Sequence, residues 1–157
     1  MTEATRREEF ETFFRAQYAS VVRALALATL NPLEAEELAQ EAFARVYERW
    51  DRVQGMESPA GYVYRIGFNL HRRRHRLRRR SPHWDSSTPD PLDEAVDVRQ
   101  AIGALPVPQR QAIVLVEWLG YSAEEAGKIL GIRAVSVRGR LHRARETLRT
   151  RFADYDG

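Results

Sequence analysis

The chain has 157 residues, 43% of them hydrophobic, which is enough for one ordinary domain or two small ones with a buried core. It lacks cysteine, a run of about 18 apolar residues and a signal-peptide opening, so disulfides, thiolate metal sites, cysteine nucleophiles and a membrane span are excluded and a cytoplasmic location is expected. The net charge of +3 conceals two basic blocks separated by an acidic one, a pattern that suits two contact surfaces for a polyanion.

Taken in chain order, Phe10, Phe13, Phe14, Tyr18, Val21 and Leu25 recur at helical spacing and predict an amphipathic helix. Asn31-Pro32 breaks it. A second helix is expected from Leu33 to Trp50, with Leu38, Ala39, Ala42, Val46 and Trp50 inward and Glu34, Glu37, Glu41 and Glu48 on the other face. That acidic stripe reads either as a solubilising surface or as a docking face for a basic protein. No histidine accompanies it at ligand spacing, so a metal site is not expected. The stretch DRVQGMESP reads as a loop, and a third helix starts near Pro59, a residue suited to a first turn.

This third helix carries Tyr62, Val63, Ile66, Phe68 and Leu70 into RRRHRLRRR, where seven arginines lie between Arg72 and Arg80 with no acid among them. A polybasic helix end is often only a solvated face or an RNA-binding tail. Here Tyr62, Tyr64, Phe68 and Asn69 set aromatic rings and an amide beside Arg65 and Arg72, the combination that unpaired DNA requires. Membrane insertion would need a free apolar face, and that face is expected in the helical core.

Residues 81–96, rich in Pro, Ser and Asp, read as a linker. Beyond it one helix ends near Leu105 and another spans Gln109 to Trp118. Ser122 and Glu125 then stand at capping-box spacing before a short helix that Gly131 terminates. A last helix buries Val137, Leu141, Ala144 and Leu148. Short helix, glycine-containing turn and basic second helix form a helix-turn-helix layout, with Arg133, Ala134, Val135, Ser136 and Arg138 where base edges are reached and Arg140, Arg143 and Arg145 along the flank. No spacing supports an enzyme, a cofactor or a small-molecule substrate.

Three segments in this order resemble an extracytoplasmic-function sigma factor, the small promoter-recognition subunit of bacterial RNA polymerase: EAEELAQEAFARVYERW, SPAGYVYRIGFNLHRRRHRLRRR and ALPVPQRQAIVLVEWLGYSAEEAGKILGIRAVSVRGRLHRAR. The resemblance implies an all-α chain of two small helical domains, residues 8–80 and 97–152, joined by the acidic linker. It implies docking on core RNA polymerase (the beta' and beta subunits) through Glu34, Glu37, Leu38, Gln40 and Glu41. It implies capture of melted −10 DNA by the loop residues Gln54, Met56 and Ser58 and by Tyr62, Arg65, Phe68, Asn69, Arg72 and Arg73. The −35 duplex would fall to Arg133, Ala134, Val135, Ser136, Arg138, Arg140, His142 and Arg143, with an anti-sigma factor as a further partner. The family commonly carries Trp-Leu at Tyr62-Val63 and Ala-Arg at Gly67-Phe68, and Arg133, Ala134 and Val135 also depart from its pattern. The apolar Ala134 and Val135 suit thymine methyl groups. A stand-alone duplex-binding regulator is the rival reading; it explains residues 99–151 and leaves the acidic and aromatic-basic helices without a task.

Overall fold

Thr2 opens the first helix by accepting a hydrogen bond from the Thr5 amide at 3.2 Å, and α1 runs from Glu3 to Thr29. The computed structural model describes residues 2–79 and 95–153. Of the linker expected over 81–96, only residues 95 and 96 fall within that range. Contacts divide the chain into two compact units, Met1–Leu77 and Arg78–Gly157, and every regular element among the described residues is a helix.

In the first unit, Leu30 ends α1 in the left-handed region (φ 59) and Asn31 begins α2 (Pro32–Glu48). The Asn31 side-chain oxygen accepts from the Leu33 and Glu34 amides at 3.1 and 3.2 Å, and Pro32 occupies the first turn, where its missing N–H costs nothing. The helix expected to reach Trp50 breaks at Arg49 (φ −113, ψ 19), and a four-residue helix, α3 (Trp50–Val53), follows. The break carries the Trp50 ring between Phe10 and Phe13, with centroids 5.6 and 5.2 Å away. Ser58 caps α4 (Pro59–Arg79) by accepting from the Gly61 amide at 3.0 Å. Val21, Ala24 and Leu25 of α1, Leu38, Ala39, Phe43 and Val46 of α2, and Val63, Tyr64 and Phe68 of α4 are buried and form the core.

The second unit contains α5 (Ala95–Gly103), α6 (Val107–Ile113), a π-helical turn (Val114–Trp118), α7 (Ala123–Leu130) and α8 (Ala134–Ala153). The helix expected over Gln109–Trp118 therefore starts two residues earlier and widens at its end, where the Leu119 amide reaches back to the Val114 carbonyl at 3.0 Å. Ser122 and Glu125 make both bonds of the capping box, at 3.0 and 3.1 Å, and hydrogen bonding to the carboxyl from the Ser122 backbone, then from its side chain, holds Glu125 below its ordinary value. Gly131 ends α7 at φ 72. Gly127 is needed for a different reason: a Cβ there would lie 2.7 Å from the Ile132 carbonyl oxygen, so the turn between α7 and α8 closes over bare backbone.

Gly127→Ala forces that backbone apart and is expected to cost about 1–3 kcal/mol, the usual range for overpacking. Gly139→Ala, whose new methyl would meet only the Arg143 side chain at 3.5 Å, serves as the tolerated control. Urea denaturation of the full chain, followed by circular dichroism, compares the two.

Candidate nucleic-acid interface

Helical phase sorts the arginines of α4. Arg65, Asn69, Arg72, Arg73, Arg76 and Arg79 recur at spacings of three and four residues and form one outer stripe. Arg65, Asn69, Arg73, Arg76 and Arg79 are exposed and Arg72 is half-buried, its guanidinium donating to the Asn69 side-chain oxygen. Arg74 falls on another side of the helix. It bonds Glu37 at 3.2 Å and lies 3.8 Å from Glu41, which also accepts from Arg45 at 2.8 Å.

The same phase overturns part of the expected base-stacking surface. Phe68 is fully buried, with its ring stacked 6.2 Å from Tyr64, so it cannot receive a base. Tyr64 is 2% exposed and bonds Ser20 at 3.3 Å; desolvation raises its phenol above the ordinary value. Both face inward because they continue the stripe of Val63, Gly67 and His71. Tyr62 alone among these rings remains half-open to solvent, and its hydroxyl accepts from Arg49 at 2.8 Å. Within the adjoining loop Gln54 and Met56 are half-buried, while Ser58 is exposed but engaged in capping α4.

The expected docking face is also narrower than its sequence pattern. Glu34 is 4% exposed and Leu38 fully buried; they stand four residues apart on the inner side of α2, so neither is available to a partner. Glu37 and Gln40 are exposed and Glu41 is partly so.

On α8, Val137, Leu141 and Ala144 are buried and Leu148 half-buried. Arg133, Val135, Ser136, Arg138, His142 and Arg143 are exposed, whereas Ala134 and Arg140 are half-buried. Arg138 bonds Glu124, Arg145 bonds Glu117 with its Nε at 3.1 Å, and His142 lies 3.5 Å from Glu146. Burial first, and then the charge of Arg143, push the Arg140 guanidinium below its ordinary value. Arg140 Nη1 is buried and has no hydrogen-bond partner among the described residues. Arg140 is therefore less accessible to a phosphate than its basic type suggested. Sequence reasoning missed Arg49, Arg74, Glu117 and Glu124 as partners of the candidate residues. Sorting the arginine block by helical phase separates Arg74 from the outer stripe; nothing local in the sequence marks the other three.

Comparison with known proteins bears on both units. The family model described as Sigma-70 region 2 matches residues 14–81, and that described as Sigma-70, region 4 matches residues 95–148. The chain is 30% identical over 159 residues to the RNA polymerase sigma-E factor of Streptomyces antibioticus, covering 93% of this chain and 88% of that one. It is 32% identical over 148 residues to the ECF RNA polymerase sigma factor SigW of Bacillus subtilis, covering 79% and 78%. In fold it is similar to the sigma factor RpoE of Bartonella quintana, solved in complex with the anti-sigma factor NepR (TM-score 0.80, 21% identity, 91% of this chain and 96% of that). It is likewise similar to CnrH, solved with the cytosolic domain of CnrY (TM-score 0.71, 24% identity, 96% and 91%). No helix among the described residues is long and apolar enough to cross a membrane.

The opposite burial of Phe68 and Arg65 generates a direct test. Phe68→Ala is expected to destabilise the fold by about 3–5 kcal/mol, the range for emptying a buried aromatic site. Arg65→Ala should change stability by no more than about 0.5 kcal/mol. Equilibrium denaturation of the two variants measures the contrast.

Proposed function

This chain belongs to the extracytoplasmic-function group of the sigma-70 family and is a sigma factor for transcription initiation; from that premise we propose how its helices divide the work. The first unit, taken as residues 8–80, docks on core RNA polymerase and holds the melted non-template strand of the −10 element. The second, taken as residues 97–152, reads the −35 duplex through α8. The mechanism is binding and strand capture, without covalent chemistry, and the place of action is the cytoplasm, beside the polymerase.

The observation that carries this reading is α4 itself. Tyr62 stands at its head beside the loop Gln54–Ser58, and the outer arginine stripe runs from there along the same helix. An unpaired base can stack on the ring or enter the loop while Arg65, Arg72, Arg73 and Asn69 meet its neighbours. Arg76 and Arg79 continue the charge onto adjacent duplex phosphates, which raises affinity and salt dependence and carries little sequence information. On α8 the exposed Val135 suits a thymine methyl group and Arg138 suits a guanine edge.

Docking is assigned to Glu37, Gln40 and Glu41. A basic polymerase surface would take Glu37 from Arg74; an exposed ion pair of this kind is worth only about 0–1 kcal/mol, so the exchange costs little. One structural neighbour was solved with the anti-sigma factor NepR and the other with the cytosolic domain of CnrY; the first supports a regulatory partner of the anti-sigma class here. By its charge, the acidic linker is assigned to the polymerase cleft.

Purified chain mixed with core polymerase and a library of genomic promoter fragments should yield promoter-dependent transcript; duplex binding without transcript would favour a stand-alone regulator. Glu37→Arg should weaken holoenzyme formation in a surface-binding titration without unfolding the chain. Unchanged affinity would leave the acidic face as solubilising surface. Tyr62→Ala should slow strand opening about tenfold, since one base stacked on an aromatic ring is worth about 1–3 kcal/mol. Permanganate reactivity of promoter thymines reports the opening, and a normal rate would remove Tyr62 from the site.

A further inference from the structure

We propose that Arg49 is a positioning residue for strand capture: it occupies the acceptor side of the Tyr62 phenol and leaves the phenolic hydrogen to donate to an unpaired base. The inference rests on the reading that Tyr62 meets the melted strand. Arg49 Nη1 donates to the Tyr62 hydroxyl oxygen at 2.8 Å. A phenol has one hydrogen, and its rotation is set by whatever else bonds the oxygen. With the guanidinium donating to that oxygen, the O–H turns away from Arg49. The adjacent positive charge also polarises the bond, making Tyr62 a stronger donor.

Both ends of this contact are anchored in backbone. The Arg49 amide donates to the Val46 carbonyl at 3.1 Å, and its carbonyl accepts from the Arg52 and Val53 amides at 3.0 and 2.9 Å. The Tyr62 amide donates to the Ser58 carbonyl at 3.1 Å, in the first turn of α4. Arg49 therefore reaches from the corner between α2 and α3 to the head of α4, across the segment Gln54–Ser58 that joins them. A side chain held from both sides of that segment loses less freedom when a base arrives.

The arrangement has a consequence for specificity. A donor aimed by Arg49 favours a base that presents an acceptor, such as a pyrimidine carbonyl or a purine ring nitrogen, over an exocyclic amino group. The tryptophan common in the family at this position offers Arg49 no acceptor, because its indole nitrogen only donates. In this chain tyrosine and arginine thus act as a pair, adding a polar reading to a site that a tryptophan would serve by stacking.

The test uses holoenzyme assembled from core polymerase with the wild-type chain, Arg49→Met, Tyr62→Phe, the double variant or Tyr62→Ala. The probe is a fork-junction DNA whose single-stranded −10 segment is randomised, and bound and unbound pools are sequenced. Arg49→Met and Tyr62→Phe should each reduce retention of the wild-type-selected pool about threefold to tenfold and flatten base preference at one shared position. The double variant should be no worse than Tyr62→Phe, because both changes remove the same donor. Tyr62→Ala should retain less still, since stacking is lost as well. Affinity for core polymerase, measured in parallel, should be unchanged throughout and verifies folding. A wild-type base profile for Arg49→Met beside an altered one for Tyr62→Phe overturns the pairing, as do losses that multiply in the double variant. A wild-type profile for Tyr62→Ala removes strand capture from this residue, and the proposal with it.

Discussion

The placement of nearly everything on α4 depends on the burial of Tyr64 and Phe68. Leu25 of α1 lies against Gly67 between them, and Ser20 of α1 bonds the Tyr64 hydroxyl. Burying an aromatic ring of this size contributes about 1.5–3 kcal/mol, whereas an exposed arginine ion pair contributes at most about 1 kcal/mol. The rings therefore set the rotation of the helix and the charges follow. One outcome is an outer stripe of arginines with Asn69 among them; the other is an Arg74 turned towards the acids of α2.

That rotation links two surfaces that the linear sequence keeps apart. Glu37 and Glu41 belong to the proposed polymerase-docking face, and Arg74 belongs to the helix proposed to hold DNA. The second unit repeats the arrangement on its own scale, with Glu124 against Arg138 and Glu117 against Arg145. Each pair is exposed and individually weak, so a phosphate can replace the carboxylate at little cost. Together these carboxylates offset part of the positive charge and so lower the attraction to arbitrary polyanion. Promoter selection requires such discrimination, because phosphate contacts alone do not distinguish sequences.

The helix-turn-helix depends on local backbone chemistry more than on charge. The capping box starts α7, Gly131 stops it in the left-handed region, and Gly127 admits the carbonyl of Ile132. These features set where α8 begins, and hence which residues occupy its first turn. Val137, Leu141 and Ala144 then bury one stripe and leave Val135, Ser136 and Arg138 outside. The π-helical turn before this motif ends at Trp118, which is 59% exposed.

The amino-acid sequence by itself determined the helical class, the Asn31-Pro32 junction, the Ser122–Glu125 cap, the Gly131 stop and the family. Each rests on interactions between residues close in the chain, or on ordered motifs that local spacing preserves. Only the tertiary structure decided which of several adjacent aromatic, acidic or basic residues reaches solvent. Tyr62, Tyr64 and Phe68 are similar in kind and near in sequence, yet only Tyr62 escapes the core, because burial depends on what α1 presents to each side of α4. Glu34 and Glu37 differ in the same way across α2. The bonds from Arg49 to Tyr62, Arg74 to Glu37 and Arg138 to Glu124 join separate elements, and their geometry exists only once packing has set each helix's rotation.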